Sequence, residues 1–136
     1  MAYLHFSDAQ IQAMLLANRQ RLQLDTLESL AKVGPAIFEA NPTHYLLWVV
    51  QDTLTLAAPF RLHDVYALRV FLQLRFDIAP GFWRQPQIGA VLGDQGLAPM
   101  ARWARLAQEP FGQAWLEAAE YDSAAEWWAN LWVAPT

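Results

Sequence analysis

The residues that could carry chemistry are few, and none forms a recognisable catalytic pattern. The histidines His5, His44 and His63 occur in neither H-x-x-x-H nor H-E-x-x-H spacing, which would place two imidazoles on one helical face for zinc. No serine lies in a G-x-S-x-G elbow. The absence of cysteine removes thiol nucleophiles, thiolate zinc sites and disulfides. We therefore predict that the protein is not an enzyme and binds no metal or cofactor.

Two weaker patterns favour structural interpretations. Gly89, Gly93 and Gly96 are clustered, but no strand precedes them and no lysine follows, as a phosphate-binding loop would require. We interpret them as a flexible turn between helices. Glu117 and Glu120 lie one helical turn apart and are typical of a solvated helical face rather than of an acid–base pair.

The C-terminal segment has the least ordinary composition. Residues 107–136 contain no Lys or Arg but five acidic residues and four of the seven tryptophans. Ser123 and Glu126 have the spacing of a capping box, which predicts a last helix over about 124–132. On that helix, Trp128, Leu131 and Trp132 would form one apolar ridge, while Trp127 would point elsewhere.

The ridge has two interpretations: it docks onto the rest of the protein, or it binds a partner. Tryptophan is enriched at the hot spots of protein interfaces, which favours a partner surface. Acidic side chains nearby would orient a basic partner. The predicted protein-binding residues are Trp128, Leu131, Trp132, Glu120, Asp122 and Glu126.

The elements that must position this segment centre on residues 63–76, HDVYALRVFLQLRF. Nine of these fourteen residues are apolar, and on a helix they cover most of the circumference. A helix that is apolar nearly all round is surrounded by others. We therefore predict a central helix, with Arg69, Gln73 and Arg75 marking the side that reaches solvent or a partner.

Start and stop signals predict the surrounding helices. The capping-box pair Ser7 and Gln10 opens a first helix that ends near Val33, before Gly34-Pro35. Because two apolar stripes run along this helix, it is either sandwiched or broken near Arg21. Asn41 as N-cap, followed by Pro42 as first helical residue, predicts a second helix over about 43–57.

The β-branched residues of 43–57 also allow a hairpin, although we favour the helix. Further helical segments are predicted at about 87–92, from Pro99 to about 108, and over 111–121, with a turn at 93–96. The prediction is an all-α, single-domain bundle of five to seven helices over residues 1–136, with a Trp-rich, acidic C-terminal helical segment at about 111–132.

The composition of the chain limits the classes of partner that we expect it to bind. The net charge is −4 and the basic residues form no stripe, which disfavours nucleic acid. Only 16% of the residues are charged, against about a quarter in typical domains, so we expect apolar surface to face another protein. The N-terminus lacks the features of a signal peptide, and the longest mid-chain apolar run, 45–50, is far shorter than the ~18 residues of a membrane span. We expect a cytoplasmic protein that does not bind membranes.

Three stretches carry a family resemblance: SDAQIQAM at 7–14, APFRLHDVYALRVFLQLRFDIAPGFW at 58–83 and LAPMARWARL at 97–106. The sequence resembles small helical domains of bacterial type VI secretion gene clusters, which stand alone or follow effector adaptor proteins. The tail after Glu109 lies outside the shared pattern, and 36–57 matches it weakly. The resemblance implies a helical fold, no catalytic residues, and a protein partner.

Three functions follow as hypotheses. The first is an adaptor or chaperone-like accessory protein that binds a secreted effector, or toxin, or its adaptor. The second is a cognate immunity protein that occludes the active site of a toxin. The third is a bundle that binds a small molecule or lipid in a pocket lined by Phe82, Trp83 and Trp103. A second copy of the chain is a further candidate partner.

Overall fold

The computed structural model describes residues 7–62 and 64–127, which form helices and contain no strand. Four 3-10 turns, at 58–60, 82–84, 109–111 and 124–127, complete the secondary structure of these residues. The predicted all-α bundle of five to seven helices is confirmed. The helices are α1 (Asp8–Val33), α2 (Pro35–Ala40), α3 (Thr43–Ala57), α4 (Val65–Asp77), α5 (Pro86–Leu92), α6 (Pro99–Leu106) and α7 (Gly112–Ala118).

Helix α1 begins and ends where its sequence signals predict. The Ser7 hydroxyl accepts a hydrogen bond from the Gln10 amide, and the Gln10 side chain accepts one from the Ser7 amide, which completes the capping box. The Gly34 amide closes the last turn by donating to the Leu30 carbonyl at 2.7 Å. The helix is continuous from Asp8 to Val33, so the predicted alternative of a break near Arg21 is wrong.

Residues 43–57 form helix α3 and not a hairpin. Only the cap differs from the prediction: Pro42, predicted as the first helical residue, occupies the N-cap in place of Asn41. The Asn41 side-chain Nδ2 instead donates to the Ile37 carbonyl at 2.9 Å. This bond satisfies a carbonyl at the end of α2, a short helix that the sequence did not predict.

Helix α4 occupies the centre of the described structure, as predicted. The Asp64 carboxylate caps its start by accepting from the Tyr66 amide at 2.8 Å. The helix packs against α1, α3 and α6. Its buried apolar side chains are Ala67, Leu68, Phe71 and Leu72.

An aromatic cluster joins α4 to the second half of the chain. The Phe71 ring lies 5.0 Å from the Phe82 ring and 5.2 Å from the Trp83 ring, measured between centroids. The Trp103 indole of α6 donates to the Ala67 carbonyl at 3.1 Å. Aromatic rings at these separations add to the stability that burial provides, so the cluster fixes α5 and α6 against α4.

A buried arginine on α6 ties three further segments together. The Arg102 guanidinium donates to the carbonyls of Leu97, Phe60 and Leu92 at 2.9, 2.6 and 2.9 Å. These carbonyls belong to the loop before α6, the 3-10 turn at 58–60 and the end of α5. Because hydrogen bonds to a charged group are the stronger ones, Arg102 holds this corner of the bundle in place.

Two later elements differ from the sequence predictions. Gly89 lies inside α5, within the helical segment predicted at about 87–92 and not in the turn predicted for the three clustered glycines. A Cβ there would sit 2.8 Å from the Trp83 carbonyl oxygen. Its lack of a side chain therefore permits the close approach of two backbone segments. Gly93 and Gly96 do lie in or beside the predicted turn at 93–96. Helix α7 is shorter than predicted, Gly112–Ala118 against 111–121.

The central position of α4 yields a stability prediction with a matched control. Leu68 is 1% exposed and Leu116, on α7, is 70% exposed. We expect Leu68→Ala to lower the free energy of unfolding by about 2–5 kcal/mol, through lost burial and a residual cavity. Leu116→Ala should change it by less than about 0.5 kcal/mol. Urea melts of both variants make the comparison, and equal values would contradict the central placement of Leu68.

Candidate functional site

The described part of the C-terminal segment consists of α7, the stretch 119–123 and the 3-10 turn at 124–127. Glu120 and Asp122 are exposed, whereas Glu126 and Trp127 are half-buried. The last predicted helix begins as a 3-10 turn, in which the Ser123 carbonyl accepts from the Glu126 amide at 3.0 Å. The predicted ridge, which consists of Trp128, Leu131 and Trp132, lies outside the described residues.

Glu126 is held by the loop that follows α4. Its carboxylate accepts from the Arg84 Nε at 2.8 Å and packs against Gly81, where a Cβ would lie 2.9 Å from the Glu126 Cδ. The Gly81 amide in turn donates to the Tyr121 carbonyl at 3.1 Å. The segment 121–127 therefore runs against the 79–84 loop, and the Glu126 carboxylate, predicted to orient a partner, is engaged within the chain.

A fully buried arginine, Arg75 at the end of α4, connects this segment to the core. Its Nη1 lies 3.1 Å from Asp52 Oδ2 and donates to the Thr53 hydroxyl at 2.8 Å. Its Nε donates to the Pro80 carbonyl at 3.0 Å, and its Nη2 donates to the Glu126 carbonyl at 2.9 Å. One side chain thus links α3, α4, the 79–84 loop and the C-terminal segment.

The groups around Arg75 change the pKa of its guanidinium and determine the direction in which the side chain points. Burial lowers the pKa of the Arg75 guanidinium below its ordinary value, and the adjacent Asp52 carboxylate opposes that effect. The Thr53 hydroxyl donates to the Val49 carbonyl at 2.7 Å, so its oxygen lone pairs remain available to Arg75. Asp52 and Arg75 are both fully buried, and the hydrogen bonds of the guanidinium to Thr53, Pro80 and Glu126 offset part of the cost of removing its charge from water.

Two indole rings cover the guanidinium. The Arg75 Cζ lies 4.7 Å from the Trp127 ring centroid and 5.5 Å from that of Trp83. The Trp127 ring also packs on Phe76, with 4.9 Å between centroids. Cation–π contacts gain strength when they are shielded from water, so Trp127 closes the site and anchors the chain at the last described residue.

The sequence-based placement of Arg75 on the solvent side of α4 is therefore wrong. Its spacing gives the physical reason: Leu68, Leu72 and Arg75 fall at i, i+4 and i+7, one helical face. Asp52 falls in the same way among the buried positions of α3. An acid and a base on two apolar faces predict a buried ion pair, and this signal was present in the sequence.

The proposed pocket residues of the third hypothesis pack on one another. Phe82 is buried, and its ring centroid lies 5.7 Å from that of Trp83 and 6.2 Å from that of Trp103. The Trp115 ring stacks on the Phe82 ring with 5.9 Å between centroids. In the described residues these rings therefore contact one another, and a pocket among them stays a prediction.

A groove of about 440 Å³ lies elsewhere, between the second half of α1 and the start of α4. Tyr66, on its α4 side, is 63% exposed although the sequence placed it in the apolar circumference of the central helix. The lining combines charged and apolar side chains: Asp25, Glu28, Ser29, Lys32, Val33, Val65, Tyr66 and Arg69.

Metal-binding side chains are not grouped in the described part of the chain, where no three His, Cys, Asp or Glu residues could hold a metal ion together. His44 is exposed near the start of α3, and His5 and His63 fall outside the described residues. None of the described helices combines the length and apolarity needed to cross a bilayer.

Comparisons with known proteins identify no relative. No protein-family model, no curated protein and no solved structure matches this chain.

The Arg75–Asp52 pair yields a prediction that separates a buried ion pair from an exposed one. Arg75→Met leaves the Asp52 carboxylate buried without its cation, and we expect a loss of about 3–5 kcal/mol in the free energy of unfolding. Arg84→Met removes a half-exposed partner of Glu126 and should cost no more than about 1 kcal/mol. Denaturant melts measure both.

A double variant tests the electrostatic origin of that loss. Asp52→Leu with Arg75→Met replaces both charges by apolar groups, and we expect it to be more stable than Arg75→Met alone. Additive losses in the double variant would show that Arg75 acts through packing and hydrogen bonds and not through Asp52.

Proposed function

We propose that the protein is a non-enzymatic accessory protein, adaptor-like or chaperone-like, that acts in the cytoplasm within a type VI secretion effector cluster. Its partner is a secreted effector or the adaptor of that effector, and its binding surface is the C-terminal segment. The observation that carries the proposal is the anchoring of Glu126 and Trp127 by Arg75. The family resemblance of the sequence supplies the class of partner.

The anchoring supports the proposal because it reduces the conformational entropy that the segment loses when it binds a partner. The backbone at Glu126 is bonded to a buried guanidinium, and the Trp127 ring packs between Phe76 and Arg75. The chain that carries Trp128, Leu131 and Trp132 therefore starts from a fixed point. A binding segment that is anchored before association loses less conformational freedom when it binds, which raises affinity.

The charges of the segment support a basic partner surface. The Glu126 carboxylate is engaged by Arg84, so it contributes to the anchor. Glu120 and Asp122 are exposed and remain available to steer a partner. Complementary charges at the rim of an interface raise the association rate and fix orientation more than they raise affinity.

An immunity protein is the second candidate, because the exposed acidic pair Glu120 and Asp122 would also suit the basic active-site rim of a toxin. Co-expression distinguishes the two functions. An immunity protein restores the growth of cells that produce the toxin, whereas an accessory protein changes the secretion of the effector and leaves survival unchanged.

The proposed surface yields a binding prediction. After a pull-down identifies the partner among the products of neighbouring genes, calorimetry measures its affinity for the wild type and for a Trp128→Ala, Trp132→Ala double variant. We expect at least about 30-fold weaker binding, since hot-spot truncations cost about 2 kcal/mol or more. Trp48→Ala is the control, because Trp48 is 59% exposed on α3, outside the segment.

The melting temperature of the same variants tests the structural alternative. If the ridge docks onto the bundle, the double variant should melt well below the wild type and keep its affinity in the folded fraction. That result, or equal affinity losses for the double variant and Trp48→Ala, would contradict the proposed surface.

A further inference from the structure

The groove between α1 and α4 contains two carboxylates that already have cationic partners. Asp25 lies 3.8 Å from Arg21, and Glu28 lies 3.4 Å from Lys32, each pair one helical turn apart on α1. Arg69, on the α4 side, has no carboxylate within 4.0 Å among the described residues. Of the two cations that line the groove, Lys32 is paired with Glu28, whereas Arg69 has no carboxylate partner among the described residues.

Arg69 also has donors that its neighbours do not satisfy. Its Nη1 donates to the Gln73 side chain at 3.1 Å. Its Nε is buried and has no hydrogen-bond acceptor. Buried polar atoms in native proteins nearly always have partners, and one without a partner is unfavourable and calls for an explanation. A carboxylate in the groove would not reach the buried Nε, but it would bind the accessible part of the guanidinium and compensate the charge of this half-buried cation.

Apolar side chains stand beside Arg69 at the same groove. Val33, at the end of α1, is 51% exposed, and Tyr66 is 63% exposed. Val65, which precedes Tyr66 on α4, also lines the groove and is half-buried. An occupant beside Arg69 would therefore meet its cation and a small apolar surface together.

We infer that this groove binds a carboxylate-bearing peptide segment of a protein partner. An Asp or Glu side chain of that segment binds the Arg69 guanidinium, and an adjacent apolar side chain packs on Val33 and Tyr66. The lining residues belong to α1 and α4 and include none of the C-terminal segment's described residues, so this inference does not depend on the proposed function.

The composition of the lining favours a peptide over a fatty acid. Both would bring a carboxylate, but the lining also places the charged side chains of Asp25, Glu28 and Lys32 beside its apolar surface. An acyl chain would desolvate the Glu28–Lys32 pair without bonding to it, which is unfavourable. A peptide backbone offers donors and acceptors to the same side chains. The volume, about 440 Å³, falls within the range of about 300–1,000 Å³ for ligand sites.

Nuclear magnetic resonance titration of the full chain tests the inference with defined probes. The probes are a capped tetrapeptide, Ala-Glu-Phe-Ala, its Ala-Gln-Phe-Ala counterpart, and dodecanoate. We expect the Glu peptide to shift the backbone amides of 25–33 and 64–69. Its affinity should exceed that of the Gln peptide by about tenfold, the magnitude of one hydrogen bond to a charged group.

Three variants make the test specific. Arg69→Gln should remove the preference for the Glu peptide. Tyr66→Ala should weaken the binding of both peptides without unfolding the protein, because Tyr66 is exposed. Leu116→Ala, an exposed apolar residue on α7, should change neither. Equal binding of the two peptides, shifts outside the groove, or binding of dodecanoate with no peptide binding would each overturn the inference.

Discussion

The buried ion pair between Arg75 and Asp52 is the interaction on which the described structure depends most. Two charges removed from water are tolerated only when their remaining hydrogen-bonding groups are satisfied. Arg75 meets that condition by bonding to Thr53, Pro80 and the Glu126 carbonyl. Because these partners come from α3, the 79–84 loop and the C-terminal segment, satisfying one guanidinium fixes three separate parts of the chain.

The two proposed binding surfaces lie toward opposite ends of α4 in sequence. At its end, Arg75 anchors the segment that leads to the Trp-rich tail, and near its start, Tyr66 and Arg69 line the groove beside α1. Arg75 is fully buried with partners, whereas Arg69 is half-buried with an unsatisfied Nε. The same residue type on the same helix therefore links buried elements at one position and is proposed to bind a carboxylate at the other.

The sequence predicted the elements better than it predicted the contacts of the charged residues. Capping residues and Gly-Pro signals act locally, so Ser7 and Pro99 marked helix starts to within a residue or two. Arg75 was misplaced because charge was given more weight than its position on the Leu68–Leu72 face. The groove could not be predicted, since it arises where residues far apart in the sequence meet. The predicted partner ridge lies outside the described residues and remains a prediction.

Native-state hydrogen exchange tests most directly whether Arg75 holds the C-terminal segment in place. The Asp52→Leu, Arg75→Met double variant removes the bond to Glu126 without leaving a buried charge. We expect the Gly81 amide, which donates to the Tyr121 carbonyl, to exchange about tenfold faster than in the wild type, while the Phe71 amide within α4 changes little. A Gly81 amide as protected as in the wild type would contradict the account.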